Sequence, residues 1–594
     1  MIRAIPRYRA LLSAILAAGA IARIGYVLAQ PGSDPAFSRP VLDGAYYLDW
    51  ARAIAAGSGG PTGAYYLAPL YPWLLSLLLR AGLGLQALYL LQHGAVVATA
   101  GLLAGVARRA AGDAAGLLAA AILLLYHPML FFASRPAGEA VGILLLAASL
   151  FLAGREGTAA RGSAGILSGL ASLARPNLLG VPALWAIGDA AGRRWRGALA
   201  LLAGAALAIV PVAVRNSAAA GRFVLVSSNG GITLYHGNGP GAAGNFTRPE
   251  GFSGRIETQR EEAAAIASRI AGRALDPIEA DSWWGEQAVA TRVADPAGSL
   301  ALIARKAMLS VDNREHGLDE APALDENPWR RAAPLPFAVL LGLAVAGAAG
   351  LGGSRTGGYR VWSAIAISWA TLLVFYVSAR YRLPLAALLV VPAGAGGAFL
   401  ALPVREDGPT RRRRWAALAA GLAAAALSLA IPSGSIARSD RAGALANRAV
   451  SLKESGDLAG AEEAARRALA LDAGCVMARY DLGVVLEARG RPAEAAEAYR
   501  EVLARDPGHA AAGNLAAILV LAGDFAGAEA VLRPALRASP GDRVAWTNLV
   551  VALAAKGDLP GAREAAAGAA REGVRLDPEL LLAIGAGGEG GKER

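Results

Sequence analysis

The chain has one cysteine, Cys475, in 594 residues, which excludes an intrachain disulfide. Its five histidines, His93, His127, His236, His316 and His509, form no HxxxH or HxH pair, so a histidine-based metal site has no support in the sequence. Charge is also scarce. Only 18% of residues are charged, against about a quarter in a typical soluble globular protein. This argues against a wholly soluble chain. The formal net charge of +12 does not point to nucleic acid either, because the arginines sit in short loops between apolar blocks: Arg3, Arg7 and Arg9; Arg108 and Arg109; Arg155 and Arg161; Arg193, Arg194 and Arg196; Arg355 and Arg360; Arg411 to Arg414. That distribution is the positive-inside pattern of a polytopic membrane protein.

What is present is apolar. Hydrophobic residues make up 55% of the chain, mean hydropathy is +0.41, and the apolar blocks approach bilayer-spanning length, about 17–25 residues. With the basic N-terminus inside, spans are expected at about 11–29, 86–106, 112–131 and 139–154. "AQPGSDPAF" after the first block weakly resembles a cleavage region, but the many later blocks favour an uncleaved first span. "APLYPWLLSLLLRAGLG", with Pro69, Pro72 and Arg80, reads as an interfacial helix. Residues 163–188 read as two short helices bent at Arg175-Pro176, since proline disfavours helix in the residue before it. Further spans follow at about 198–214, 333–352, 361–378, 383–403 and 415–432. The expected fold is all-α, with about eleven spans in residues 1–432. The polar 215–332 loop and the C-terminus lie on the exocytoplasmic side of a bacterial inner membrane.

Residues 440–580 are alanine-rich, charged and repetitive. "GDLAGAEEAARRAL", "GRPAEAAEAYREVL", "GDFAGAEAVLRPAL" and "GDLPGAREAAAGAA" begin at Gly456, Gly490, Gly523 and Gly557, with small residues in register at Ala461, Ala495, Ala528 and Ala562. A helix–turn–helix period near 34 residues resembles tetratricopeptide repeats, whose stacked helices offer a surface for a protein partner, or serve as a spacer or dimerisation surface. A linker is expected near "PSGSIARSDRAG", and residues 581–594 are expected to be a disordered tail.

The stretch "LDGAYYLDWA", residues 42–51, follows the first span on the outer side. Tyr46, Tyr47 and Trp50 suit a membrane interface. Asp43 either caps the helix beginning at Gly44-Ala45 or carries chemistry, because ionisable groups at a membrane are costly. Asp49 lies on another face and reads as solvated.

"LDGAYYLDWARAIAAG…APLYPWLLSLLLRAG" resembles the first outer loop of polyprenyl-phosphate-dependent glycosyltransferases of the GT-C fold, closest to glycosyltransferase family 39, the protein-mannosyltransferase and aminoarabinose-transferase-like group. Asp43, Tyr46, Tyr47, Trp50, Ala51, Pro69, Leu70 and Tyr71 match in order. The family's second acidic residue is absent, since Gly44 stands there. Glu139 in "SRPAGEAVGILLLAASLFL", the bend in "GLASLARPNLL", the start of the loop in "VRNSAAAGRFVLVSSNGGITLYHGNGP" and the late "SARYRLPLAALLV" extend the resemblance over roughly residues 1–430.

The resemblance implies an inverting transferase that moves a sugar from a polyprenyl-phosphate donor to a lipid, glycan or protein acceptor hydroxyl. Asp43 and Glu139 would be catalytic, with Asp43 as general base. Tyr46 and Tyr47 would contact substrate. Arginine suits a phosphate because its planar fork donates two hydrogen bonds. Arg382 is the first choice, then Arg380 and Arg175. Lys306, on the helix "PAGSLALIARKAML", is a further candidate. Against these stand a snorkelling role for Arg382 and a helix-start role for Glu139. Asn and Gly in "SSNGG" and "GNGPG" are either site-lining or turn-forming. Asn245-Phe-Thr matches a glycosylation acceptor pattern. No cofactor is implied, and dependence on a divalent metal is left open. An O-antigen-ligase-like transferase and a non-catalytic membrane-anchored repeat scaffold are the alternatives.

Overall fold

The computed structural model describes residues 4–249, 252, 256–318, 320–401 and 408–585. It is all-helical: among the described residues the only β pairing is an isolated bridge between Tyr126 and Leu335. The chain forms two compact units, Met1–Thr247 with Arg260–Asp440, and Arg248–Gln259 with Arg441–Arg594.

Among the described residues of the first unit four helices are long and apolar enough to cross a membrane: Arg7–Gly32, Leu85–Ala111, Trp195–Ala220 and Ala379–Ala401. A fifth is reached only by joining Thr410–Ala430 to the helix after it. The expected count of about eleven is therefore not carried by helix length. The remaining apolar helices are short, among them Leu70–Arg80, Asp113–Leu125, Glu139–Ala153 and Phe337–Leu351. The reason is local. The block at 112–131 breaks at Tyr126, before Pro128, and the block at 163–188 breaks at Arg175-Pro176 into Thr158–Ala174 and Gly180–Ala191.

Helix Ala379–Ala401 is the centre of this unit, with 83% of its most apolar window buried against 17% for the first helix. Apolar helices gain little from the hydrophobic effect against one another, so close approach of small residues does the packing. A Cβ at Gly165 would stand 2.1 Å from the Leu201 carbonyl oxygen, and one at Gly204 2.2 Å from that of Gly162. Helices Thr158–Ala174 and Trp195–Ala220 therefore touch backbone to backbone.

At one end, buried Asp189 binds Arg161 (3.1 Å), Arg194 (3.2 Å) and Arg360 (2.5 Å), and Arg161 also donates to the Ala153 carbonyl. Arg109 and Arg155 both lie over the Phe151 ring. Arginines from four of the basic loops thus share one end of the helices. The 215–332 loop carries helices Gly230–Asn238, Ile256–Ala271, Pro277–Ala294 and Pro296–Val311. Asp276 and Asp295 cap the last two, each followed by a first-turn proline.

In the second unit the repeat sequence dictates the turns. Gly456, Gly490, Gly523 and Gly557 all have positive φ, between +71° and +89°, which ends one helix in the left-handed region that glycine enters without strain. The next residue caps the following helix in three repeats: Asp457, Asp524 and Asp558 accept from the amides of Gly460, Gly527 and Gly561. Ala461, Ala495, Ala528 and Ala562 are each fully buried where helices cross. The expected linker is helical instead, within Gly434–Ser455, because its alanines and arginines favour helix once past Pro432. The tail expected from residue 581 starts inside helix Pro578–Ala583, and residues 586–594 lie outside the described residues.

Candidate functional site

Helix Leu42–Ala55 places the first carboxylate. Leu42 enters it with φ +52°, an unfavourable value for a residue with a branched side chain, immediately before Asp43. Asp43 lies in the first turn, but Val41 holds the N-cap position and no side chain caps this helix, so Asp43 is not a capping residue. Its Oδ2 accepts from Arg380 Nη1 at 2.7 Å, and its Oδ1 has no hydrogen-bond partner among the described residues. Gly44 permits this entry. A Cβ there would meet Pro136 at 2.9 Å and Pro40 at 3.2 Å, which explains why a second acidic side chain does not fit.

Arg380 also donates through Nε to Glu139 Oε1 at 2.5 Å, and Arg175 binds the same oxygen. Glu139 opens helix Glu139–Ala153, Arg175 sits at the bend, and Arg380 starts the central helix. Glu139 is 2% exposed, and its Oε2 is buried without a hydrogen-bond partner. It was expected to be catalytic. It lies buried between the two guanidiniums. Asp43, a quarter exposed, is the carboxylate that opens to a cleft.

The cleft is lined by Asp43, Arg380, Arg135 and Glu320 together with apolar residues including Pro40 and Phe132. Arg135 is one of the four outer-side arginines near span ends, but it was not ranked as a phosphate ligand. It is bound by Asp34 and by Glu320 (2.6 Å), and it lies 4.4 Å over the Phe131 ring. Burial opposes its charge, but the two carboxylates outweigh burial and hold its pKa up. Gln92 secures the same loop, accepting from Tyr71 (2.7 Å) and donating to the Arg135 carbonyl (2.7 Å). The one sequence hint was an outer Arg-Pro pair opposite the acidic cap Asp34 of a short Pro-started turn.

Tyr46, Tyr47 and Trp50 form an aromatic wall beside Asp43. Tyr47 packs edge-on against Tyr71 at 5.4 Å, and Tyr46 against Trp50 at 6.1 Å. Burial pushes both tyrosine phenols above their usual range, so they stay neutral. Asp49 pairs with Arg52 on the exposed face, as a solvated residue does.

Two expected phosphate ligands lie elsewhere. Arg382 is 1% exposed. It donates to the carbonyls of Asp312 and Arg314, pairs with Glu315 at 2.6 Å and covers the Phe337 ring at 4.0 Å. Two steps along an α-helix turn a side chain by about 200°, so Arg380 and Arg382 point away from each other. Lys306 is fully buried and donates to Asn238 Oδ1 (2.9 Å) and the Phe375 carbonyl (2.6 Å). Burial, with the charge of Arg292, pushes its pKa down to about 8. Both side chains sit in buried polar networks, and neither lines the Asp43 cleft.

The Gly- and Asn-rich loop start also serves packing. A Cβ at Gly231 would lie 1.7 Å from the Asp281 carbonyl oxygen, and one at Gly237 1.8 Å from that of Phe375. Asn245 spends its amide on Asp440 at 2.9 Å. No cluster of metal-binding side chains exists among the described residues.

Comparison with known proteins places the repeats. Residues 447–510 and 519–583 each match the tetratricopeptide repeat family. No curated protein matches the chain. Among solved structures the chain is similar to YrrB, described as a TPR protein with an unusual peptide-binding site. The identity is 22% over 24% of this chain and 74% of that one, with TM-score 0.22. It is similar to MamA at 18% over 29% and 96%, with TM-score 0.21. It is also similar to the oligosaccharyltransferase AglB from Archaeoglobus fulgidus at 13% over 73% of this chain and 58% of that one, with TM-score 0.38. At TM-scores this low these likenesses support no statement about mechanism.

Proposed function

We propose that the first unit is an inverting membrane glycosyltransferase that moves a sugar from a polyprenyl-phosphate donor to an acceptor hydroxyl on the exocytoplasmic face. The observation that carries this reading is the convergence of Asp43, Glu139, Arg175 and Arg380. They come from four separate segments, up to 337 positions apart, and meet beside a cleft with both charged and apolar walls. They meet away from the end where the basic loops gather.

In this reading Asp43 takes the acceptor proton, using the oxygen that Arg380 leaves open. The guanidiniums of Arg380 and Arg175 stabilise negative charge developing on the leaving phosphate, and fixed donors of that kind are effective where water is excluded. Glu139 holds both guanidiniums in place before the donor arrives. Pro40 and Phe132 give the lipid-linked donor an apolar wall. The repeats would gather an acceptor or partner outside the membrane.

The test is transfer of radiolabelled sugar from a lipid-linked donor in membranes, with expression matched. Asp43→Asn keeps the shape of the side chain, and is expected to lower transfer by about 10²–10⁴-fold while the protein still inserts and binds donor. Full activity in Asp43→Asn would remove the residue from the mechanism and leave the ligase-like and scaffold alternatives ahead.

A further inference from the structure

The second unit contains an acid that its own repeat pattern does not account for. One position in the first helix of each repeat carries Asn447, Asp481, Asn514 and Asn548, in the same register as the turn glycines. Two of the amides are used inside the solenoid. Asn514 donates to the hydroxyls of Tyr480 and Tyr499, and Asn548 to the Gly513 carbonyl. Asp481 replaces a neutral amide by a carboxylate. Its Oδ2 is buried with no hydrogen-bond partner, and it forms no ion pair among the described residues. A buried carboxylate in that condition calls for a cation. Burial pushes its pKa up to about 7, against the charges of Lys453 and Arg248.

Arg248 comes from the 215–332 loop, whose segment Arg248–Gln259 belongs to this unit. Its guanidinium nitrogens lie 3.7 and 3.8 Å from Met477 Sδ. Met477 and Asp481 are one turn apart on the same helix face. The charge of Arg248 also reaches Cys475, at the start of that helix, and His509, before the next one. His509 packs edge-on against Tyr480 at 4.7 Å. A thioether, an aromatic pair and an unsatisfied carboxylate together form a receptor for a planar guanidinium. Phe252 and Ile256 of the same segment are buried.

We propose that this face of the second repeat is a binding site for an arginine side chain in an extended polypeptide, occupied in cis by Arg248 and opened when an arginine-bearing acceptor or partner displaces that segment. It stands independently of the transfer reading. The open Asp481 oxygen gives the incoming arginine a bond that the resting arrangement leaves unmade, so displacement is favoured by a ligand that reaches it.

The probe is a fluorescent peptide copying residues 244–260, titrated against the full chain in detergent. A chain with residues 248–259 replaced by a Gly/Ser linker of the same length is expected to bind it at least about tenfold more tightly than the parent, since charge-assisted hydrogen bonds are worth about 1.5–3 kcal/mol. Asp481→Asn in that chain, or alanine for the peptide's first arginine, removes most of the gain, and lysine restores only part. Maleimide labelling of Cys475, the sole thiol, gives a second reading in the intact protein. It should slow in Arg248→Ala, because the guanidinium favours the Cys475 thiolate, and stay near the parent rate when the peptide's arginine takes the place of Arg248. Equal binding by parent and linker chains with Cys475 labelling unchanged in Arg248→Ala overturns the proposal, as does binding indifferent to Asp481→Asn or to the peptide arginine.

Discussion

The two units differ in how far apart in sequence their decisive contacts lie. In the repeat unit, Tyr499 bonds Glu487 twelve positions away and Asn514 fifteen positions away. In the membrane unit, Asp43 bonds Arg380 across 337 positions, and Arg135 bonds Glu320 across 185. A solenoid is close to a sum of neighbouring interfaces, so a defect in it stays local. The membrane unit closes its polar contacts around one central helix, so a defect there reaches distant segments.

Exchanging the roles of two arginines on the central helix would break this comparison most sharply. Arg382→Ala leaves Glu315 buried without its partner, and breaking a buried pair of this kind costs about 3–5 kcal/mol. The expected result is a large loss of folded, monodisperse protein by fluorescence-detected size exclusion. Arg380→Ala should instead keep much of the folded yield, because Arg175 still neutralises Glu139, and should lose transfer activity. Similar yields for the two variants would show that the arginines do not divide into a clamp and a site residue.

Much of this was legible in the sequence, for physical reasons that differ by region. The repeats declared themselves because a left-handed turn needs glycine, a cap needs aspartate and a helix crossing needs alanine, so one pattern recurs at Gly456, Asp457 and Ala461 and again downstream. The Asp276-Pro277 and Asp295-Pro296 helix starts were legible in the same way. The choice between Arg380 and Arg382 was not. It depends on which face of one helix meets the cleft, and that is set by segments hundreds of residues away. Arg135 was not ranked because its partners Asp34 and Glu320 are remote in sequence. Pro176 announced the break at Arg175, whereas the break at Tyr126 inside the 112–131 block was not read.

Glycine substitutions sharpen the comparison at a smaller scale. Gly165→Ala puts a methyl group 2.1 Å from a backbone oxygen that cannot rotate away, so two helices must separate. Its cost should reach about 3 kcal/mol, the upper part of the range for overpacking. Gly483→Ala meets the Tyr499 ring at 2.5 Å, a side chain able to shift, and should cost about 1 kcal/mol within one repeat. Hydrogen exchange should show faster opening across several membrane-unit helices in the first variant, and only around residues 476–503 in the second. Equally wide disturbance in both would remove the distinction between a local and a global architecture.

The smallest effect expected is a pH dependence of the membrane unit. His316 Nε2 lies 3.0 Å from Asp312 Oδ2 and its Nδ1 3.2 Å from Asp440 Oδ2, so the ring is held as a cation between two carboxylates. Burial and the nearby charge of Arg382 pull its pKa down, but the two carboxylates outweigh them and the net shift is upward. Burial raises Asp312, but bonds from His316, Ser433 and the Arg314 amide outweigh it, and its net shift is downward. A histidine raised on folding contributes stability that is fully present below about 6.5, its unfolded value, and is lost as pH rises through the folded value. An aspartate lowered on folding contributes stability above about 3.9, lost as pH falls through the folded value. The clamp is therefore fully formed only between those limits. The thermal midpoint of the full chain should fall as pH rises from 6 toward 9, and His316→Gln should flatten that slope. A slope unchanged in His316→Gln would assign the pH dependence to another group. Asp481 of the repeat unit would be the first to consider: burial raises its pKa to about 7, so its cost to the folded state grows as pH rises toward that value.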